Sequence, residues 1–371
     1  MKISTSKLEL QTALQKLSKA TPSRATLPIL NNVLFNVDEN KTTIKSTDLE
    51  ITVVVGLPAS VEEVGGVAIP LHMLINITNE LPDETRVNIN TDEENKINIS
   101  TDSGSYSIVG KPKEEFPNTP KVETKNNIEI NGKSLKQIIN KTAFAVSRDD
   151  LKPALTGVLF KFNQNNITAV ATDGHRLVKY ETTNKAVTDQ MEDVIVPKKF
   201  LNLLSSGLGD EKINLSVGEN HLTTTVGSDQ YFTRIIDEKF PDFDGVIPKD
   251  NDKNFKVDRN PLLSAVKRVS IFSNKSTHQI ALQLNNEQTF IKTEDPEQST
   301  KANEEIRGEY KGDDITVGYN AAYLKDVLSH IDSNEVVVQL KSPISATLFI
   351  PKEQEKNTKL TMLLMPIRLN D

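Results

Sequence analysis

Apolar residues alternate with polar ones at three places in the chain, and the three stretches read as copies of one unit. Val33, Phe35 and Val37 keep a period of two within LPILNNVLFNVDENKTTIKSTDLEI, Leu27 to Ile51. Val158, Phe160 and Phe162 keep it within LKPALTGVLFKFNQNNITAVATDGHRLV, Leu151 to Val178, and Ile280, Leu282 and Leu284 within HQIALQLNNEQTFIKTEDPEQ, His278 to Gln298. That period predicts strands with one face on a core. A polar turn follows each (DENK at 38–41, QNN at 164–166, NNEQ at 285–288), so each stretch predicts a hairpin. Ahead of each hairpin the spacing is helical: Leu10, Leu14 and Leu17; Leu135, Ile138, Ile139 and Thr142; Leu262, Ala265, Val266 and Val269.

The second half of each copy repeats the scheme. A strand ending at Pro70 precedes a helix LHMLINITNEL, one ending at Pro197 precedes KKFLNLLSSGL, and DITVGYN precedes AAYLKDVLSHI. Alternating strands follow at Val87 and Ile89, Ile213 and Leu215, and Val336 and Val338. The copies lie about 125 residues apart, too far for a solenoid and the right distance for whole domains. Linkers PNTPKVETKNN and VIPKDNDKN follow Phe116-Pro117 and Phe240-Pro241, and give domains 1–124, 125–250 and 251–371. The expected class is α+β: three similar domains, each a pseudo-two-fold pair of helix-plus-antiparallel-sheet units.

Composition narrows the function. With no cysteine among 371 residues, disulfides, thiolate metal sites and cysteine nucleophiles are excluded. The start, MKISTSKLELQ, lacks the apolar run of a secretory signal, and nothing approaches the roughly 18 apolar residues of a membrane span, so a cytoplasmic protein without membrane contact is expected. A net charge of −7 argues at first against nucleic acid, yet the charge is unevenly placed. Ser6–Ala20 carries Lys7, Lys16 and Lys19 against Glu9; Lys133–Lys152 carries five basic residues against Asp149 and Asp150; Arg259–Lys275 carries Arg259, Lys267, Arg268 and Lys275 without an acid. One such helix is an ordinary solvated face. Three equivalent ones suggest a basic surface turned toward a polyanion.

With its motifs assembled in order, the full chain closely resembles the bacterial sliding clamp family, the beta subunit of the replicative DNA polymerase III holoenzyme. The residues that carry the resemblance are ATDGHRL (Ala171 to Leu177), Thr26-Leu27-Pro28-Ile29-Leu30, Phe240-Pro241-Asp242-Phe243, Gly318-Tyr319-Asn320-Ala321-Ala322-Tyr323 and Leu364-Met365-Pro366-Ile367-Arg368-Leu369. The resemblance implies the DNA clamp fold, closed as a head-to-tail homodimeric ring around double-stranded DNA. It implies a tether for the polymerase alpha subunit, a clamp loader that opens the ring with ATP, and no catalysis or cofactor in the clamp itself. Arg24, Arg148 and Lys152 match family loops that face DNA, with Lys136 and Lys267 added from the helices. Retention by topology needs only a weakly basic lining, because the phosphate term is independent of sequence.

In the family, partners insert a peptide of the form Gln-Leu-x-Leu-Phe between the middle and last domains. The matching positions are Leu155, Thr172, Gly174, His175, Arg176, Leu177, Pro241 and Val246, then Asn320, Tyr323, Pro343, Ile344, Ala346, Leu363, Leu364, Met365, Pro366, Ile367 and Arg368. Leu, Met, Ile and Pro near a chain end can form an adaptable apolar groove, oriented by Thr172, His175 and Arg176 through hydrogen bonds. LLMPI also fits a last core strand. Gly245 stands where many members carry arginine and Thr277 where several carry an aromatic residue, and the Asn370-Asp371 tail adds acid, so the groove's rim is expected to differ.

Family interfaces imply a dimer contact through Met73, Ile77, Tyr106 and Ile108 on one side and Ile271 and Phe272 on the other. Ile271 and Phe272 also fit the core of the last domain. Two other readings stay open at the level of residues. One is acid–base chemistry at Asp173, His175 and Arg176, although the equivalent turns, Thr47-Asp48-Leu49-Glu50 and Glu294-Asp295-Pro296, lack the histidine. The other is a β-rich adhesion protein.

Overall fold

The alternating triplets become inward faces of the strands Asn32–Val37, Gly157–Asn163 and Gln279–Leu284, and all nine residues are buried. The three polar turns fall where expected, between these strands and their partners Thr42–Thr47, Asn166–Thr172 and Thr289–Asp295. The helical spacings become helices α1 (Lys7–Ser18), α3 (Gly132–Thr142) and α5 (Arg259–Val269); the second halves give α2 (Leu71–Glu80), α4 (Lys198–Ser205) and α6 (Ala321–Ser329). Ser6 caps α1 by accepting a hydrogen bond from the Glu9 amide at 3.2 Å, and its hydroxyl donates to the Glu9 carboxylate at 2.9 Å. Leu10, Ala13, Leu14 and Leu17 form the buried face of α1. Burying each leucine contributes about 1.5–3 kcal/mol. Strand Gly65–Pro70 ends at a proline and α2 begins at the next residue; Val194–Pro197 and α4 repeat the arrangement.

This computed structural model describes residues 1–22, 25, 27–184 and 191–369. The chain divides into two compact units, residues 1–135 with 199–235, and residues 136–198 with 236–371. The first unit holds a five-stranded and a nine-stranded antiparallel sheet; the larger joins strand Ile51–Gly56 to Asp229–Arg234, bringing segments far apart in sequence together. The second holds a nine-stranded and a four-stranded sheet, and its larger sheet joins Arg176–Thr183 to Thr358–Leu364. Segments 117–125 and 247–252 carry no helix or strand. Both expected linkers are shorter than the sequence suggested. Asn126 and Asn127 already pair with Val217 and Ser216, and Lys253 and Asn254 with Leu340 and Gln339, because backbone hydrogen bonding does not require apolar side chains.

The basic segments need correction. Lys7 is buried and bonds Asp83 at 2.7 Å, Lys16 bonds the buried Asp229 at 2.6 Å, Lys141 is buried and bonds Asp332 at 2.6 Å, and Nε and Nη2 of Arg268 both donate to the Glu304 carboxylate. Counting charges in sequence could not show that these are neutralised internally. Lys136, Arg148, Lys152 and Lys267 are exposed and in no ion pair among the described residues. Arg24 and the Asn370-Asp371 tail lie outside the described residues.

Candidate functional site

Two distant pieces of sequence meet in the second unit. Arg176 through Thr182 pair residue by residue with Leu364 back to Thr358, so ATDGHRL and LLMPI become neighbours. The Met365 amide donates to the His175 carbonyl at 2.8 Å and continues the pairing beyond the strand. The Ile367 amide then donates to the Gly318 carbonyl at 2.9 Å. Gly318 is required there: a Cβ would meet the Ile367 carbonyl oxygen at 2.6 Å.

The turn is built by its own side chains. The Thr172 hydroxyl donates to the Arg176 carbonyl at 2.6 Å and accepts from the Gly174 amide at 3.1 Å. Asp173 accepts from the His175 and Arg176 amides, each at 3.0 Å. Gly174 adopts φ +89°, a conformation that suits glycine. Its missing side chain would point into open space.

Arg176 is only 7 % exposed, which changes its expected role. Its Nε donates to Asp173 at 3.1 Å, Nη1 to Asp326 at 2.6 Å, and Nη2 to the Phe144 carbonyl at 3.0 Å. The guanidinium lies 5.2 Å from the Phe144 ring centre and 4.8 Å from that of Tyr323. It is a clamp between elements. Thr172 is likewise committed to the turn, so of the three polar residues expected to orient a ligand only His175 is exposed, its ring stacked on Tyr323 at 5.7 Å. Phe144, Asp326 and His330 are missing from the sequence reading. His330 stacks on Phe144 at 3.8 Å, and its Nδ1 faces the Asp326 carbonyl at 2.7 Å. Burial holds the His330 imidazole below its ordinary pKa. Burial, with Arg148 and Arg176 nearby, lowers that of Lys198 as well.

The motif around Asn320 resolves in the same way. Tyr319 is a core residue sharing a 2.7 Å hydrogen bond with Thr347. The Asn320 side chain caps α6 by accepting from the Ala322 and Tyr323 amides, so it aims Tyr323 rather than facing solvent as a free group. Thr277 is exposed, and its carbonyl accepts from Asn320 at 3.4 Å.

Leu177 and Leu363 lie side by side on one sheet face, in a buried cluster with Leu159, Val170, Ile195, Phe243 and Leu348. Ala346 packs against this cluster, and Leu155 and Leu364 are also buried. Leu348 is a further residue absent from the sequence reading, and Phe243, quoted there only within Phe240-Pro241-Asp242-Phe243, proves to be part of this cluster. Outside this cluster Val246, Ile344 (67 % exposed) and Met365 (40 % exposed) are exposed, as are Pro241, Pro343 and Arg368, and Pro366 and Ile367 are half-buried. LLMPI is therefore divided: Leu363 and Leu364 end a core strand, whereas Met365 leaves it. Gly245 is exposed, and its amide donates to Asp242 at 3.3 Å.

Ile271 and Phe272 are 77 % and 42 % exposed, against the alternative that they are core. They adjoin Thr300–Glu305, the outer strand of the four-stranded sheet, and the Thr300 hydroxyl donates to the Phe272 carbonyl at 3.0 Å. In the first unit Met73 and Tyr106 are exposed and Ile77 and Ile108 half-buried; Tyr106 and Ile108 lie on Ser105–Val109, again an outer strand.

Family models match the chain in three consecutive pieces: DNA polymerase III beta subunit, N-terminal domain over residues 1–120, central domain over 129–242 and C-terminal domain over 244–368. The beta sliding clamp of Pseudomonas aeruginosa is 31% identical over 96% of both chains, and that of Synechococcus elongatus 31% identical over 100% of both. The solved DNA polymerase III subunit beta of Pseudomonas aeruginosa has a TM-score of 0.93 at 30% identity, and the DNA polymerase sliding clamp of Bacillus subtilis 0.94 at 25%, each covering 100% of both chains. The chain therefore belongs to the bacterial sliding clamps, the beta subunits of DNA polymerase III, which are non-catalytic processivity subunits.

Proposed function

We propose that two copies of this chain close head to tail into a ring around duplex DNA, and that the groove beside ATDGHRL takes the peptide of a polymerase or other partner. The observation that carries the peptide reading is the seven-residue pairing of Arg176–Thr182 with Thr358–Leu364, which brings an apolar floor and an exposed Met365 against His175. Leu155, Thr172, Arg176, Leu177, Leu363 and Leu364 form the foundation. Gly174, His175, Tyr323, Val246, Ile344 and Met365 meet the peptide, with Pro241, Asn320, Pro343, Ala346, Pro366, Ile367 and Arg368 bounding it. Partners on this reading are the polymerase alpha subunit, the clamp loader and other proteins with the same motif, in the cytoplasm. No helix among the described residues is long and apolar enough to cross a membrane.

Domains 1–124, 125–250 and 251–371 supply the ring's repeating units. Lys136, Arg148, Lys152 and Lys267, with Arg24, face the DNA; their charge is not spent on internal carboxylates, which supports that role for the four described ones. The outer strands Ser105–Val109 and Thr300–Glu305 would meet edge to edge, covering Tyr106, Ile108, Ile271 and Phe272 and leaving no open edge there to aggregate. The test is retention after loading by the cognate loader. Protein that stays on nicked circular plasmid in high salt and runs off the linearised plasmid is a topological clamp. Equal retention on both, falling with salt, would refute encirclement.

A further inference from the structure

The first unit contains a counterpart of the pocket floor with a different chemistry. In the second unit, Leu159, Val170 and Lys179 lie side by side on adjacent strands, and Thr172 lies opposite Leu177. In the first, Leu34, Lys45 and Val54 lie side by side, and Thr47 lies opposite Thr52. The next strand places Leu363 across from Leu177 and Phe232 across from Thr52. Position for position, Lys45 stands where the pocket floor has Val170, and Thr52 where it has Leu177.

Lys45 is 9 % exposed. Its ammonium donates to the Pro117 carbonyl at 2.7 Å, reaches the Thr119 hydroxyl at 3.4 Å, and lies 5.3 Å from the centre of the buried Phe116 ring. Among the described residues it has no carboxylate partner. Burying an ammonium against neutral acceptors costs free energy that an apolar residue of the Val170 kind would avoid, and burial lowers its pKa accordingly. Those bonds fix the chain's own segment Phe116–Thr119 over the sheet face that corresponds to the pocket floor; the equivalent segment of the second unit, Phe240–Phe243, packs on its floor through apolar contact alone at the Val170 position, with no buried ammonium there to hold it.

Resting on the peptide-pocket reading above, we infer that Lys45 is a specificity determinant: it straps Phe116–Thr119 across the first-domain counterpart of the floor, so that each chain offers a partner peptide one pocket rather than two.

Calorimetric titration with a synthetic Gln-Leu-Ser-Leu-Phe peptide tests this on the full chain. Wild type is expected to bind one peptide per chain, Lys45→Arg also one, and Lys45→Val with Thr52→Leu two. Wild type binding none removes the pocket reading and the inference with it. Wild type binding one while the double variant also binds one overturns the inference alone, and wild type binding two overturns it directly. Lys45→Met keeps a side chain of similar length and gives a second readout should the double variant fold poorly. Amide exchange in residues 113–121 should then rise about tenfold, the scale of one lost hydrogen bond to a charged group, with little change elsewhere. Unchanged exchange in that segment would overturn the strap.

Discussion

Thr47 and Thr172 do the same work in the two units, and the residues after them do different work. The Thr47 hydroxyl donates to the Ile51 carbonyl at 2.8 Å and accepts from the Leu49 amide at 3.0 Å; Thr172 makes the matching bonds to Arg176 and Gly174. Asp48 and Asp173 each accept two following amides. The backbone turn is thus a common part. In the first unit it leads to Ile51, a core residue, and Asp48 binds Lys199. In the second it leads to Arg176, whose guanidinium links Asp173, Asp326, Phe144 and Tyr323. A local motif sets the direction of the chain; the side chain that follows determines whether the turn simply leads into the core or gathers side chains from other elements around it.

The largest expected effect comes from removing that guanidinium. Arg176→Met leaves the buried side of Asp173 and the Phe144 carbonyl without their partner. The half-exposed Asp326 can return to water, which reduces the loss to about 2–4 kcal/mol. Urea unfolding should register this, and fluorescence polarisation should show peptide affinity falling at least about tenfold. Full affinity in Arg176→Met would mean that the turn alone positions His175, and the contrast with the first unit would collapse. Leu177→Thr, which writes the first unit's floor residue into the second, comes next. It removes buried apolar surface and adds a hydroxyl, so about 2–3 kcal/mol of stability should be lost. If peptide binding survived unchanged, Leu177 would be structural core only.

Much of this contrast was legible in the sequence, but not its wiring. The hairpins at 38–41, 164–166 and 285–288 were readable because side-chain period and turn composition are local properties. The helix faces were readable for the same reason: Leu10, Leu14 and Leu17 need only each other's spacing. The pairing of Val178 with Met362 was not, since nothing in either strand's composition names its partner. The motif marks Arg176 as a polar residue of the site, but a polar residue in a motif does not reveal that its charge is turned inward, onto Asp173, Asp326 and the Phe144 carbonyl. Lys45 had a visible signal. Aligning the copies sets it against Val170, and a lysine at a repeat position otherwise apolar marks a place where the two domains diverge.

A smaller effect separates the two threonines themselves. Thr172→Val removes a donor and leaves the Gly174 amide without its acceptor, costing about 1–2 kcal/mol. Thr47→Val should cost more, because Thr47 also shares a 2.9 Å hydrogen bond with Thr52, and both hydroxyls are buried. Equal losses in urea unfolding would show that the Thr47–Thr52 bond contributes nothing net, and would make the two turns interchangeable in energy as well as in shape.

The finest distinction lies two residues on, where Leu49 and Gly174 both adopt positive φ, +77° and +89°. Gly174→Ala introduces left-handed strain but restricts the unfolded chain, so a net loss of about 0.5–1 kcal/mol is expected. Leu49→Gly relieves the strain while increasing the entropy lost on folding, and the two should nearly cancel, to within about 0.5 kcal/mol. Thermal unfolding of the pair therefore tests whether the turns carry equal strain. Peptide titration then separates strain from access. A Cβ at position 174 meets nothing in the chain, so alanine there can disturb binding only by touching the bound peptide or by shifting His175. Stability lost with affinity unchanged would assign Gly174 to the turn's conformation; affinity lost beyond that stability change would place the peptide directly over it.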